Sequence, residues 1–167
     1  PSFVIFTPAK NTVRNITKVI DHLAEAGVSV ATSISLQTTD PGTLEAVARQ
    51  NITTDGYLRL AADLRRRGHA LHGDLILGLP GQTYETYRDD LQFMLDHEIM
   101  PRTFPLRLLP NAPMNDPAYR ERHGIVTDEH EVVVSTALVS KEERDQMLLL
   151  RRIEAIAARR KKILDQL

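Results

Sequence analysis

The chain has 167 residues, 42% of them apolar, with 21 basic against 22 acidic residues and a formal net charge of −1. That is enough for one domain with a real core, and it leaves no global charge to draw the chain to nucleic acid or a membrane surface. No apolar run approaches the roughly 20 residues that span a bilayer, and no signal-peptide pattern opens the chain, so neither nucleic acid nor a membrane is expected as partner.

Strand patterns near residues 3–7, 30–37, 73–78 and 103–108 alternate with helical ones, which predicts βα units and a parallel sheet, an α/β fold. Asn11 fits a helix N-cap, and Lys10-Asn11 at the end of the first strand are also placed to face a substrate. The helix that follows carries Val13, Ile16, Ile20 and Leu23 on one stripe, with Gly27 as its stop. In Thr32-Ser33-Ile34-Ser35-Leu36-Gln37, period-2 alternation puts Ser33, Ser35 and Gln37 on one face. A wholly polar face does not suit a strand covered by helices on both sides. It points to a lumen holding ligand or water, or else to an edge strand with one wet face.

Asp40-Pro41 predicts an N-cap with proline at the first helical position, opening a short helix through Leu44, Val47 and Ala48 with Arg49 at its end. Asp55 is expected to cap the next helix, whose Leu58, Ala61 and Leu64 face the sheet. Arg65-Arg66-Arg67 before Gly68 complement the helix dipole. His69 and His72 look like a metal pair, but a three-residue offset leading into a strand sends them to opposite faces, so no metal site is assigned.

Asp74-Leu75-Ile76-Leu77-Gly78-Leu79-Pro80-Gly81-Gln82-Thr83 reads as a buried strand delivered into a sharp turn and a new helix. Alternation puts Asp74 on the face of Ile76, and a carboxylate there needs a partner. Because the run lacks the Lys-Ser/Thr of a P-loop, it is not one. Thr83 is expected to cap a helix with Tyr87, Leu91, Met94 and Leu95 inward. Residues 111–130, rich in Asn, Asp, Pro and Gly, read as a long surface loop of the kind that forms lids, and Glu131 to Leu138 as a short strand. Ser140-Lys141-Glu142-Glu143 is a capping box, opening an amphipathic helix through Leu148, Ile153, Ile156, Ile163 and Leu164. Its basic run Arg159-Arg160-Lys161-Lys162, with no aromatic residues interleaved, reads as a solvated face. The domain plan is therefore a βα portion over 1–110, a loop-rich extension over 111–139 and a C-terminal amphipathic helix over 140–167.

Taken in order, Pro8-Ala9-Lys10-Asn11, Ser33-Ile34-Ser35-Leu36-Gln37, Arg49-Gln50-Asn51-Ile52, the Asp74 to Thr83 run, and Pro105-Leu106-Arg107-Leu108-Leu109-Pro110-Asn111-Ala112-Pro113-Met114 resemble the third to sixth strand regions of the radical S-adenosylmethionine (SAM) superfamily. With Asp116-Pro117-Ala118-Tyr119-Arg120 and His123-Gly124-Ile125, the resemblance is greatest to the group that carries an upstream cobalamin-binding domain. It implies a partial (β/α) TIM-like barrel, strands three to six of the radical SAM core. In such enzymes a [4Fe-4S] cluster held by Cys-x3-Cys-x2-Cys cleaves SAM to a 5′-deoxyadenosyl radical. The expected cofactors are therefore SAM, the cluster and, in this group, cobalamin. The expected partners are a small-molecule substrate and an electron donor such as flavodoxin or ferredoxin, and the cluster's need for a reducing compartment places the protein in the cytoplasm.

The chain holds no cysteine and opens at Pro1 in what resembles the third strand, so it is expected to be a fragment that is inactive alone, the cluster being bound outside it. A cluster-free half barrel that binds a nucleotide or a protein is the alternative. By the resemblance, Gln37 and Asp74 contact the ribose hydroxyls, Arg49 the methionyl carboxylate, and Ile76 and the backbone of Leu106-Arg107-Leu108 the adenine, with core packing the alternative for Ile76; Ser33 and Ser35 either line the site or are structural. An internal Arg49–Asp74 ion pair is the structural alternative for two of these. Many members have Gly where Asp74 stands and Glu where Gln82 stands. The coproporphyrinogen-oxidase-like group shares the first departure, and the second argues against an acidic role at position 82. No general acid, general base or metal ligand is assigned.

Overall fold

The computed structural model describes residues 3–6, 13–69 and 71–164. The Pro8 to Asn11 motif, with its expected cap and substrate-facing pair, lies outside them, as do the side chains of the basic run and of the helical stripe beyond residue 152. Four strands, β1 (Phe3–Phe6), β2 (Ser29–Gln37), β3 (Leu71–Leu77) and β4 (Met100–Pro105), form one sheet in chain order. β1 runs parallel to β2 with Phe3 opposite Ser29, and β2 parallel to β3 with Thr32 opposite Leu71. Parallel neighbours need a crossover, and the helices α1 (Val13–Glu25), α2 (Pro41–Ala46), α3 (Thr54–Arg66) and α4 (Tyr84–Asp96) occupy the connections. This is the expected α/β class, a sheet of βα units laid down in sequence order.

By contact the chain divides into two compact units. The first comprises residues 1–37, 50–75 and 93–102. In it α1 buries Ile16 and Ile20, and Gly27 ends the helix as expected. α3 buries Tyr57, Leu60, Ala61 and Leu64, so Tyr57 and Leu60 take the sheet-facing places beside which Leu58 is only partly buried. Its cap is Thr53, whose Oγ1 accepts from Gly56 N at 3.2 Å, and not Asp55, which sits in the first turn. Met94 is buried while its neighbour Leu95 is 44% exposed, against the expectation that both point inward; one step along a helix turns a side chain by about 100°. Gly73 lies under the helices: a Cβ there would lie 2.5 Å from Met94 Sδ and 2.9 Å from the Tyr57 hydroxyl, so a side chain would force those groups to move.

The second unit comprises residues 38–49, 76–92 and 103–167. Asp40 Oδ2 accepts from Thr43 N at 2.6 Å and Thr43 Oγ1 at 2.7 Å, and Pro41 starts α2, which stops at Ala46, short of the expected Val47 and Ala48. Thr83 and Thr86 cap α4 reciprocally, backbone N–H to partner hydroxyl in both directions. The turn between β3 and α4 is closed from inside by Gln82, fully buried, whose Oε1 accepts from Gly78 N at 2.8 Å and whose Nε2 donates to Ile76 O at 3.1 Å. Gly81, at φ +86, lies so close to α2 that a Cβ would come within 3.0 Å of Ala46.

Residues 111–130 are not the featureless loop their composition predicts. They hold a 3-10 turn at Pro113–Asn115, the short helix α5 (Pro117–Arg122) and the strand β5 (Val126–Thr127), which pairs antiparallel with β6 (Val133–Ser135). The residues that signalled a loop are caps and turn-formers: Asp116 Oδ1 accepts from Ala118 N and Tyr119 N, and Asp128 Oδ1 from His130 N and Val132 N. Ile125 joins Leu79, Leu106, Leu108 and Val133 in an apolar cluster, and the Tyr119 hydroxyl donates to Ala46 O at 2.7 Å. The strand expected over Glu131 to Leu138 is confined to β6. The capping box forms, Ser140 N donating to Glu143 Oε2 at 2.9 Å and Glu143 N to Ser140 Oγ at 3.2 Å, and opens α6 (Lys141–Leu164). Met147, which the predicted stripe omits, is buried.

Candidate functional site

Alternation along β3 builds the site. Leu71, Gly73, Leu75 and Leu77 are buried, and Gly73 meets the helical side chains, so His72, Asp74 and Ile76 take the other face. Residues opposite one another in a parallel pair share a face. The register Ser33 to His72 and Ser35 to Asp74 therefore sets two hydroxyls, an imidazole and a carboxylate side by side, and Arg102 of β4 completes the group.

Asp74 Oδ2 accepts from Ser33 Oγ at 2.6 Å and from Ser35 Oγ at 3.1 Å, while Oδ1 accepts from Arg102 Nε at 2.8 Å. Arg102 Nη2 lies 2.8 Å from the same oxygen and also donates to Ser33 Oγ at 2.8 Å. Asp74, Ser33 and Arg102 thus close a ring of hydrogen bonds. The Asp74 side chain is 13% exposed and that of Arg102 31%, a depth at which an acid and a base are expected in partnership. The partner that Asp74 requires is supplied by β4. Arg102 escaped the sequence reading because Met-Pro-Arg-Thr-Phe-Pro has no clean alternation; its one signal is that Arg102 is the only charge in that strand.

His72 shares this face. Its Nδ1 is buried with no hydrogen-bond partner among the described residues, and burial lowers its pKa below the ordinary imidazole value. The positive charge of Arg102 pushes the same way and Asp74 opposes it. Behind the strand the Tyr57 phenol is raised, first by burial and then by the charge of Asp74.

The other expected ligands fall as follows. Gln37 ends β2 across a register shift, opposite Leu75, with φ +66, a left-handed conformation unusual for a residue with a side chain. Such outliers collect at binding sites. Ser35 and Asp74 are brought together directly. Arg49, Ile76 and Leu106 lie in the second unit. Arg49 is partly buried after α2, its backbone N donating to Leu44 O at 2.9 Å, and burial lowers its guanidinium pKa. Ile76 packs against the Leu79 cluster. Leu106 is buried in that cluster, its N donating to Leu77 O at 2.8 Å and its O accepting from Val133 N at 2.9 Å. Among the described residues no set of three His, Asp or Glu side chains converges as a metal site, and no helix is long and apolar enough to cross a membrane.

No family model matches the chain. Among curated proteins it is similar to the cobalamin-dependent radical SAM methyltransferase TokK of Streptomyces tokunonensis, 34% identical over 122 residues. It is also similar to the 2-(S-pantetheinyl)-carbapenam-3-carboxylate methyltransferase of Streptantibioticus cattleyicolor, 30% identical over 130 residues. The matches cover 71% and 76% of this chain but 18% and 19% of those proteins, so the chain spans about a fifth of their length. Among solved structures, the Escherichia coli coproporphyrinogen III oxidase HemN aligns with TM-score 0.56 and 21% identity over 89% of this chain and 31% of its own. The Kitasatospora setae methyltransferase TsrM aligns with TM-score 0.55 and 17% identity over 91% of this chain and 35% of its own. At these identities the two structures establish the fold.

Proposed function

We propose, from the chain's relationship to the radical SAM superfamily, that these residues form the SAM-holding part of a larger enzyme that transfers a methyl group with the help of cobalamin. The observation that carries this reading is the Asp74 carboxylate, held by Ser33, Ser35 and Arg102 on a polar strand face. Such a carboxylate suits a vicinal diol. It has about four acceptor positions, all its partners are donors, and the Ser35 bond, the longest, is the one a ribose hydroxyl would replace.

In this reading Asp74 and Gln37 hold the ribose, with Ser35 lining the pocket. For the second unit, by the same resemblance, we propose a carboxylate-binding role for Arg49 and an adenine-bordering one for Ile76 and the backbone around Leu106. Bound SAM supplies the methyl group or the radical of the family's chemistry; the chain's own part is to bind it, orient it and keep water out. These 167 residues contain no cysteine, so they do not fit an iron–sulfur cluster, and no step is assigned through one here. A small-molecule substrate, an electron donor such as flavodoxin or ferredoxin, and a cytoplasmic location complete the proposal.

SAM binding by the full-length protein, measured by equilibrium dialysis, tests the reading. Asp74→Ala is expected to weaken it by about 1–3 kcal/mol, the range for losing a hydrogen bond to a charged group. Unchanged affinity removes the ribose role. In parallel, the isolated 167 residues incubated with iron, sulfide, reductant and SAM are expected to yield no 5′-deoxyadenosine.

A further inference from the structure

Asp74 is the middle of a clamp in which each partner has a fixed polarity. A guanidinium has donors only, so where Arg102 Nη2 meets Ser33 Oγ at 2.8 Å the serine oxygen must accept. The single Ser33 proton is then committed to Asp74 Oδ2, at 2.6 Å. Arg102 Nε meets the other carboxylate oxygen at 2.8 Å. One planar group therefore fixes the carboxylate twice, directly through Oδ1 and through Ser33 at Oδ2, and the rotation that would misalign its lone pairs is blocked. Ser35 at 3.1 Å is a longer contact outside this ring.

We infer that Arg102 is a positioning residue for SAM binding, acting through Asp74: its fork across Asp74 Oδ1 and Ser33 Oγ sets the carboxylate plane that receives the ribose diol. The inference rests on the ribose reading of Asp74. Lysine at this position keeps the charge but is a point donor that does not span both oxygens in one plane. The fork, and not the charge alone, then decides affinity.

A double-mutant cycle on SAM dissociation constants in the full-length protein tests this, with melting temperature as the folding control. Arg102→Met is expected to weaken SAM binding about tenfold or more, and Arg102→Lys to recover only part of the loss. Asp74→Asn weakens binding similarly, and the double variant Asp74→Asn/Arg102→Met binds no worse than Asp74→Asn alone, because Arg102 then has no carboxylate to align. Millimolar guanidinium added to Arg102→Ala restores part of the binding when Asp74 is present and none when it is Asn, a response that a scaffold role does not produce. If the Met variant fails to fold, Arg102→Lys and the charge-neutral double variant carry the same cycle. Losses that add independently, or SAM binding unmoved in every Arg102 variant while Asp74→Asn weakens it, overturn the inference and leave the ribose reading standing. Binding unmoved by Asp74→Asn overturns that reading and the inference together.

Discussion

Asp74 and Asp90 are both acids set within the body of a unit, and their neighbours treat them differently. Asp74, in the first unit, receives donors at both oxygens, one of them a guanidinium, and keeps a partly open face. Asp90, in the second, is 1% exposed; its Oδ1 accepts from Thr39 N and Thr39 Oγ1, both at 2.6 Å, and its Oδ2 is buried with no partner among the described residues. Burial accordingly raises the Asp90 pKa, with the Thr39 bonds only partly opposing it and the nearby charge of Asp40 adding to it. Where its unit supplies a counter-ion, the carboxyl group stays partly open. Where the unit supplies only neutral donors, it serves as a latch, here on the turn that follows β2.

Removing the counter-ion breaks the comparison most sharply. Arg102→Met leaves Asp74 largely buried with neutral donors only, as Asp90 is, and is expected to lower unfolding free energy by about 3 kcal/mol in urea titrations. Pairing it with Asp74→Leu should return most of that, since the cost lies in the stranded charge. A smaller effect is expected from pH at the latch. The folded pKa of Asp90 lies above its unfolded value, so the native state binds more protons in the window between the two. Stability from this group is thus present at low pH and lost as pH rises through that window. Asp90→Asn should remove this acid-side slope and narrow the stability gap at neutral pH, as read from melting temperatures across the acid range.

The smallest effect is expected at His72, whose folded pKa lies below its unfolded value. The unfolded state then binds more protons, and stability falls as pH drops from the ordinary imidazole range through the folded pKa. His72→Gln should flatten that limb and leave the Asp90 window untouched; a limb that persists assigns it to another group.

Local signals were legible in the sequence and distant partnerships were not. The Ser140 box and the Asp40-Pro41 cap were readable because donor and acceptor lie within three residues of each other, and Asp74 announced itself as an acid in an apolar strand. Arg102 is 28 residues further on, in a strand that contains two prolines, and only the sheet brings the two together. Thr53 and Asp55 are both good caps two positions apart, and composition does not choose between them; the helix starts where the first cap allows. Residues 111–130 misled for a different reason. Asn, Asp and Pro mark the ends of short elements as well as loops, and Asp116 and Pro117 were opening a helix. Gln37 was legible as a polar strand residue, while its left-handed backbone depends on a bulge that no alternation pattern encodes.

Gln82 has a consequence of another kind. In a parallel sheet the C=O before a residue and the N–H after it are met by the N–H and C=O of one residue of the neighbouring strand. Around Leu77 those two groups, Ile76 O and Gly78 N, are met by the Gln82 amide. A side chain thus impersonates one link of a strand at the point where the chain stops being sheet, and the ladder ends on a forgery of itself. A carboxamide carries both halves of that imitation at any pH, whereas a glutamate of the same shape does so only when protonated, since its ionised form has no donor to give. The exchange of Gln for Glu at this position therefore ties the closure of the turn to the protonation of one side chain.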